Sequence, residues 1–148
     1  MGFVWIYVFI LFSGVLQACG APMNGQLYTS LRNPWLASLV SFGMITLFFI
    51  GAFTIWPHPL PNSKEIVAMP WWAPIGGLVG AVAVYAGLTL ITKVGAGPYT
   101  GLTVTASLIT SIAIDNFGLF RMPVHSINLW RILGGVLMVC GVALISLF

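Results

Sequence analysis

Two carboxylates make up the whole acidic inventory of this 148-residue chain, and only Asp115 stands beside an apolar run, in the segment IAIDNFGLF. A carboxylate at a helix C-terminus is electrostatically unfavourable unless it is paired. Arg131, just inside the start of the next apolar run, is the natural partner. An ion pair at the edge of a membrane serves either as a structural clamp or as a proton or substrate site, and the sequence admits both. The other carboxylate, Glu65, lies beside Lys64 in a polar loop and reads as a solvated charge.

The uncharged polar residues are as few and as informative, because a polar side chain inside a membrane must face protein or water. Gln17 lies toward the inner part of the first apolar run, followed by Pro22 and Asn24. Proline removes a backbone donor, so this stretch is either a broken helix whose freed groups face a cavity or simply the end of a span. Thr100, Thr103, Ser107 and Thr110 recur at three- and four-residue steps, which places four hydroxyls on one helix stripe expected to point into the bundle. Such hydroxyls either contact a ligand or bond carbonyls of their own helix. Ser41 has the same two readings, with packing favoured.

His58 and His125 fall in loops without metal-ligand spacing, and Cys19 and Cys140 fall inside apolar runs. No nucleophile, acid and base set is present, nor any phosphate-binding glycine loop. An enzyme and an ATP-driven pump are therefore not expected, and no cofactor is called for.

The elements that position these residues are set by composition. Hydrophobic residues make up 59% of the chain and charged residues 5%, against about 25% charged in ordinary soluble domains. A soluble globule is excluded, since seven charged side chains cannot solvate its surface. The five cations, Arg32, Lys64, Lys93, Arg121 and Arg131, are scattered singly, so nucleic acid is not an expected partner. Membrane lipid is.

Apolar runs of about 20 residues bounded by proline, glycine or charge mark spans. Five fit: residues 2–21, 34–56, 71–92, 98–114 and 128–148, in one transmembrane domain over 1–148. All six tryptophans lie near predicted span ends, at the headgroup level that Trp prefers. The run ending Leu16-Gln17-Ala18-Cys19 is similar to a lipoprotein cleavage site, but no Lys or Arg precedes Arg32, so a mature helix is expected. Small-residue stripes at Gly14/Ala18/Ala21, Gly76/Gly80, Gly77/Ala81 and Gly134/Gly141 are expected to supply helix contacts. An odd number of spans puts the termini on opposite faces. Arg32 and Lys93 then lie on one face and Lys64, Arg121 and Arg131 on the other, a near balance that allows insertion both ways.

The runs QACGAPMNGQL, NPWLASLVSF, PWWAPIGGLVGA and IDNFGLF, with RILGGVLMVCGVALI, resemble a bacterial, single-domain five-helix branch of the drug/metabolite transporter superfamily, over nearly the whole chain. The resemblance implies an all-α integral inner-membrane protein, one half of a ten-helix inverted-repeat transporter. It maps the family's polar positions onto Gln17, Asn24, Ser41, Trp72 and Asp115. The chain departs from that pattern at Ser107, where Gln is frequent, and at Asn116, where His is frequent.

The expected function is secondary transport of a small organic solute by alternating access, in an antiparallel homodimer or with a paralogous five-helix partner. The expected cavity is lined by Gln17, Asn24, Ser41, Trp72, Thr103 and Ser107, with Asp115 and Arg131 as the coupling or ion pair. The alternative is a non-transporting membrane subunit that scaffolds another complex.

Overall fold

The computed structural model describes residues 2–148, and every regular element among them is helical. The order is α1 (Gly2–Leu31), α2 (Pro34–Ile55), α3 (Ser63–Ala68), α4 (Ile75–Val94), α5 (Ala96–Phe117), a 3₁₀ turn (Leu119–Arg121) and α6 (Leu129–Leu147). Among the described residues, α1, α2, α4 and α6 are long and apolar enough to cross a membrane. Helix α5 is as long as α2, at 22 residues, but its threonines, Asp115 and Asn116 make it more polar. The chain divides into two compact units, Met1–Lys93 and Val94–Phe148.

In the first unit, α1 runs unbroken through Pro22, ten residues beyond the end expected at residue 21. A proline inside a helix costs about 3 kcal/mol in water. In lipid, stopping there would strand a full set of terminal carbonyls, so continuing is the cheaper solution. The continuation also packs: Gly25 is buried, and a Cβ placed on it would lie 2.6 Å from Ile91 Cγ2 and 3.3 Å from Thr92 Cγ2 of α4. Ala37, Leu88 and Ile91 complete this small core.

Two residues turn α1 into α2. Arg32 takes the left-handed conformation at φ +54 and its N–H donates to the Tyr28 carbonyl. Asn33 then caps α2, its Oδ1 accepting from the N–H groups of Trp35 and Leu36, with Pro34 opening the helix where a missing donor costs nothing.

The polar crossing from 57 to 70 is less extended than expected, because Asn62 and Glu65 form a reciprocal capping box that nucleates α3. Glu65 is exposed, as a solvated charge would be, but it also holds the Asn62 N–H. The next span begins at Ile75 rather than at residue 71. Pro70 and Pro74 bracket tight i to i+3 turns, with the Ala73 N–H donating to the Pro70 carbonyl and that of Ile75 to the Trp72 carbonyl. Trp71 and Trp72 therefore sit on a turn ahead of the helix.

In the second unit, α5 starts two residues earlier and ends three later than the expected 98–114. Gly95, at φ +90, supplies the left-handed backbone that separates it from α4. Helices α5 and α6 pack through Gly101, where an added Cβ would stand 3.1 Å from Val142 Cγ2. Gly97 and Thr105 fall on the same face, one turn to either side. Within the single chain, a Cβ on Gly14, Gly76, Gly77, Gly80, Gly134 or Gly141 would meet nothing within 4 Å, so the glycines of the expected stripes face open space here.

Candidate functional site

Helices α1 and α2 run antiparallel from the Arg32–Asn33 turn, and each carries one polar residue seven positions from that turn's edge. Asn24 lies seven residues before Leu31 and Ser41 seven after Pro34, so both sit about 10 Å along their helices. They meet there: Ser41 Oγ donates to Asn24 Oδ1 at 3.0 Å, with both side chains part-buried. This hydrogen bond joins two sequence-predicted residues and leaves the Asn24 amide hydrogens uncommitted.

Gln17 is two turns further along α1 on the same face as Asn24. It is exposed in the chain. Its amide has no hydrogen-bond partner among the described residues. Trp72 is half-buried in the turn ahead of α4. Nearer the Arg32–Asn33 turn, Trp35 stacks on Tyr85 with ring centroids 5.0 Å apart, which ties α2 to α4.

In the second unit the hydroxyl stripe lies on the side of α5 away from the Gly101 contact, and Thr103, Ser107 and Thr110 are exposed. Thr103 Oγ1 donates to the Tyr99 and Thr100 carbonyls, and Thr110 Oγ1 to that of Ala106. These two hydroxyls are satisfied by their own helix, as Thr side chains in apolar helices can be. The hydroxyl buried in this unit is another one, Thr105 Oγ1, which has no hydrogen-bond partner. The three- and four-residue spacing had singled out the opposite face; the sign of burial in the sequence was the Gly97-x-x-x-Gly101 step that leads to Thr105.

Asp115 and Arg131 do come together, with Asp115 Oδ2 3.5 Å from Arg131 Nη1 and each side chain about one-third exposed (32%). The surrounding loop is tied to both helix ends. The Asp115 carbonyl accepts from the His125 N–H, Arg131 Nη1 donates to the His125 carbonyl, and Asn116 Oδ1 accepts from the Ile127 N–H. Asn128 caps α6 by accepting from the Arg131 N–H. Gly118, at φ +59, ends α5 in the left-handed conformation. Asn116, noted in the sequence only as a departure from a family pattern, is thus a strut of this loop.

Among the described residues no group of His, Cys, Asp or Glu is placed to hold a metal, and Cys19 and Cys140 are free thiols. The Asp, Glu, Lys, Arg and His side chains stand at helix ends, in the short α3 and in loops, while the interiors of the long helices offer amides, hydroxyls, thiols and aromatic rings.

A family model described as "Putative inner membrane exporter, YdcZ" matches residues 5–144, almost the whole chain. No curated protein and no solved structure matches it.

Proposed function

Because the chain belongs to the YdcZ family of drug/metabolite transporter-like inner-membrane proteins, we propose that it exports a small organic solute by alternating access, as an antiparallel pair of five-helix chains. It is a multi-pass protein of the inner membrane, with four helices among the described residues apolar enough to span. We take α5 as the fifth crossing. Its 22 residues extend about 33 Å, enough for a hydrocarbon core of about 30 Å, and Thr103 and Thr110 shield their hydroxyls on helix carbonyls.

The observation that carries this reading is the Asn24 and Ser41 hydrogen bond with the uncommitted Gln17 amide beyond it. A polar amide facing lipid is costly, so Gln17 and the free amide hydrogens of Asn24 need a hydrated cavity or a partner chain. A solute pathway at a helix interface supplies the first and a second copy the second. These groups recognise a solute by hydrogen bonds rather than by charge.

Five crossings favour pairing with an inverted copy, since one chain offers few helices to wall a midplane site. The near balance of Arg32 and Lys93 against Lys64, Arg121 and Arg131 supports insertion in both directions. The test joins topology to flux. Reporters fused to Met1 and to Phe148 are expected on both faces of the membrane, and proteoliposomes are expected to show counterflow of at least one uncharged polar metabolite from a radiolabelled panel. One-sided reporters would remove the antiparallel homodimer. Absence of flux across the panel, together with stable association with another membrane complex, would favour the scaffold instead.

A further inference from the structure

The second unit holds a groove along α5 and α6 that the solute pathway does not use. Its volume is about 420 Å³, and its walls are aliphatic, with Ile109 and Ile112 on α5 and Ile132, Val136 and Val139 on α6. Gly135 forms part of the lining, and a Cβ built on it would meet nothing within 4 Å, so the groove is a space that a side chain at this position would fill. The one charged residue in the lining is Arg131, at the end where α6 begins.

The length of the groove says what fits it. From Arg131, in the first turn of α6, to Cys140 at the far end is nine residues, about 13.5 Å along the helix. The hydrocarbon core is about 30 Å thick, so one leaflet is about half of that. The groove therefore starts at headgroup level and stops near the midplane. A crossing helix from a second copy would use the full thickness, whereas an acyl chain anchored at one interface uses one leaflet.

The charge at the mouth says which lipid. Both polar contacts of the Arg131 guanidinium, to Asp115 and to the His125 carbonyl, use Nη1, leaving its other nitrogens available. From residue 115 to residue 131 the chain carries Arg121 and Arg131 against Asp115, a net charge of +1 with His125 neutral. We propose that this groove binds one acyl chain of an acidic phospholipid, with the lipid phosphate at Arg131.

The test is native mass spectrometry of the full chain in detergent, titrated with phosphatidylglycerol or with phosphatidylcholine of the same acyl chains. The expected result is retention of phosphatidylglycerol at about fivefold lower concentration, the factor one cation contributes at an acidic membrane surface. Gly135→Leu fills the groove and is expected to abolish retention of both lipids, while Arg131→Gln is expected to make the two lipids equal. Should Arg131→Gln lose its helical circular dichroism, Gly135→Leu decides alone, because its side chain enters open space. Equal retention of the two lipids by the unaltered chain would overturn the proposal. So would undiminished phosphatidylglycerol binding by Gly135→Leu, or loss of a dimer in that variant with lipid retention intact, which would make a second copy the occupant.

Discussion

Asp115 and Arg131 grip the same loop residue from opposite sides: the Asp115 carbonyl accepts the His125 N–H at 2.9 Å, and Arg131 Nη1 donates to the His125 carbonyl at 3.1 Å. Their ion pair closes the triangle at 3.5 Å. The backbone carbonyl of Asp115 is untouched by changing its side chain, and the pair is about one-third exposed. Asp115→Asn should therefore cost less than about 1 kcal/mol in detergent melts. Flux in proteoliposomes should stay within about twofold with the same proton dependence, since an exposed, paired carboxylate contributes through structure. Loss of proton dependence in this variant would make Asp115 the coupling group.

The Asn24 and Ser41 bond gives a second prediction. Polar couples between membrane helices average about 0.6 kcal/mol in double-mutant cycles, and this one should fall between that value and about 1.7 kcal/mol. Asn24→Ala should also lower flux roughly tenfold, as expected if one hydrogen bond to solute worth about 1.4 kcal/mol is lost. Ser41→Ala, which frees the Asn24 carbonyl oxygen without removing its donors, should lower flux less. Equal losses in the two variants would assign both residues to packing alone.

Two glycines should resist substitution for different reasons. Gly25→Ala forces a Cβ to within 2.6 Å of Ile91 Cγ2, close to the main chain of α4, and should destabilise the protein by about 1 to 3 kcal/mol. Adding Ile91→Ala should recover part of that loss. Gly118→Ala meets Val124 at 2.8 Å and must hold φ at +59, a conformation that costs an L-residue roughly 1 to 2 kcal/mol. By contrast Gly14→Ala and Gly76→Ala, with open space around them, should be neutral in the isolated chain.

Thr105 offers the opposite sign. Its hydroxyl is buried without a partner, a condition that costs about 1 to 3 kcal/mol. Thr105→Val keeps the shape and removes the orphan, so the thermal midpoint should rise. A fall in stability, or a loss of flux at constant stability, would show that the hydroxyl is used in the assembled transporter.

Much of this architecture was legible as apolar runs. The bounds of α2 and α6 fell within a residue of expectation because each follows an asparagine cap and is apolar throughout. The errors have one cause, local rules weighed without their surroundings. Pro22 breaks helices in water, yet here the backbone has no better partner than the next turn. Asn62 and Glu65 have the spacing of a capping box, but Pro57, Pro59 and Pro61 favour extended chain just ahead of it, and α3 is only six residues long. Glycine stripes are common in apolar helices, and sequence spacing alone does not say which will meet a neighbour; a Cβ on Gly25 or Gly101 would come within 3.4 Å of one, whereas a Cβ on Gly14, Gly76 or Gly134 would meet nothing. The candidate site was legible in part, since a scarce amide in lipid stands out. That Ser41 reaches Asn24 follows from the two-residue turn between their helices, which sets their common depth.

Helix α1 is eight residues longer than α2, 30 against 22, a surplus of about 12 Å. Both helices leave the same turn, so the whole surplus lies at the far end of α1, where Trp5, Tyr7 and Phe9 are all exposed and water is no refuge for them. A helix longer than the hydrocarbon core is accommodated by tilting, kinking or local thickening of the bilayer, and a lean of α1 is the expected response here. Membrane thickness thereby becomes a variable that acts on the helix bearing Gln17 and Asn24. Reconstitution in lipids of increasing chain length should bring α1 upright and change the transport rate without any change in the protein.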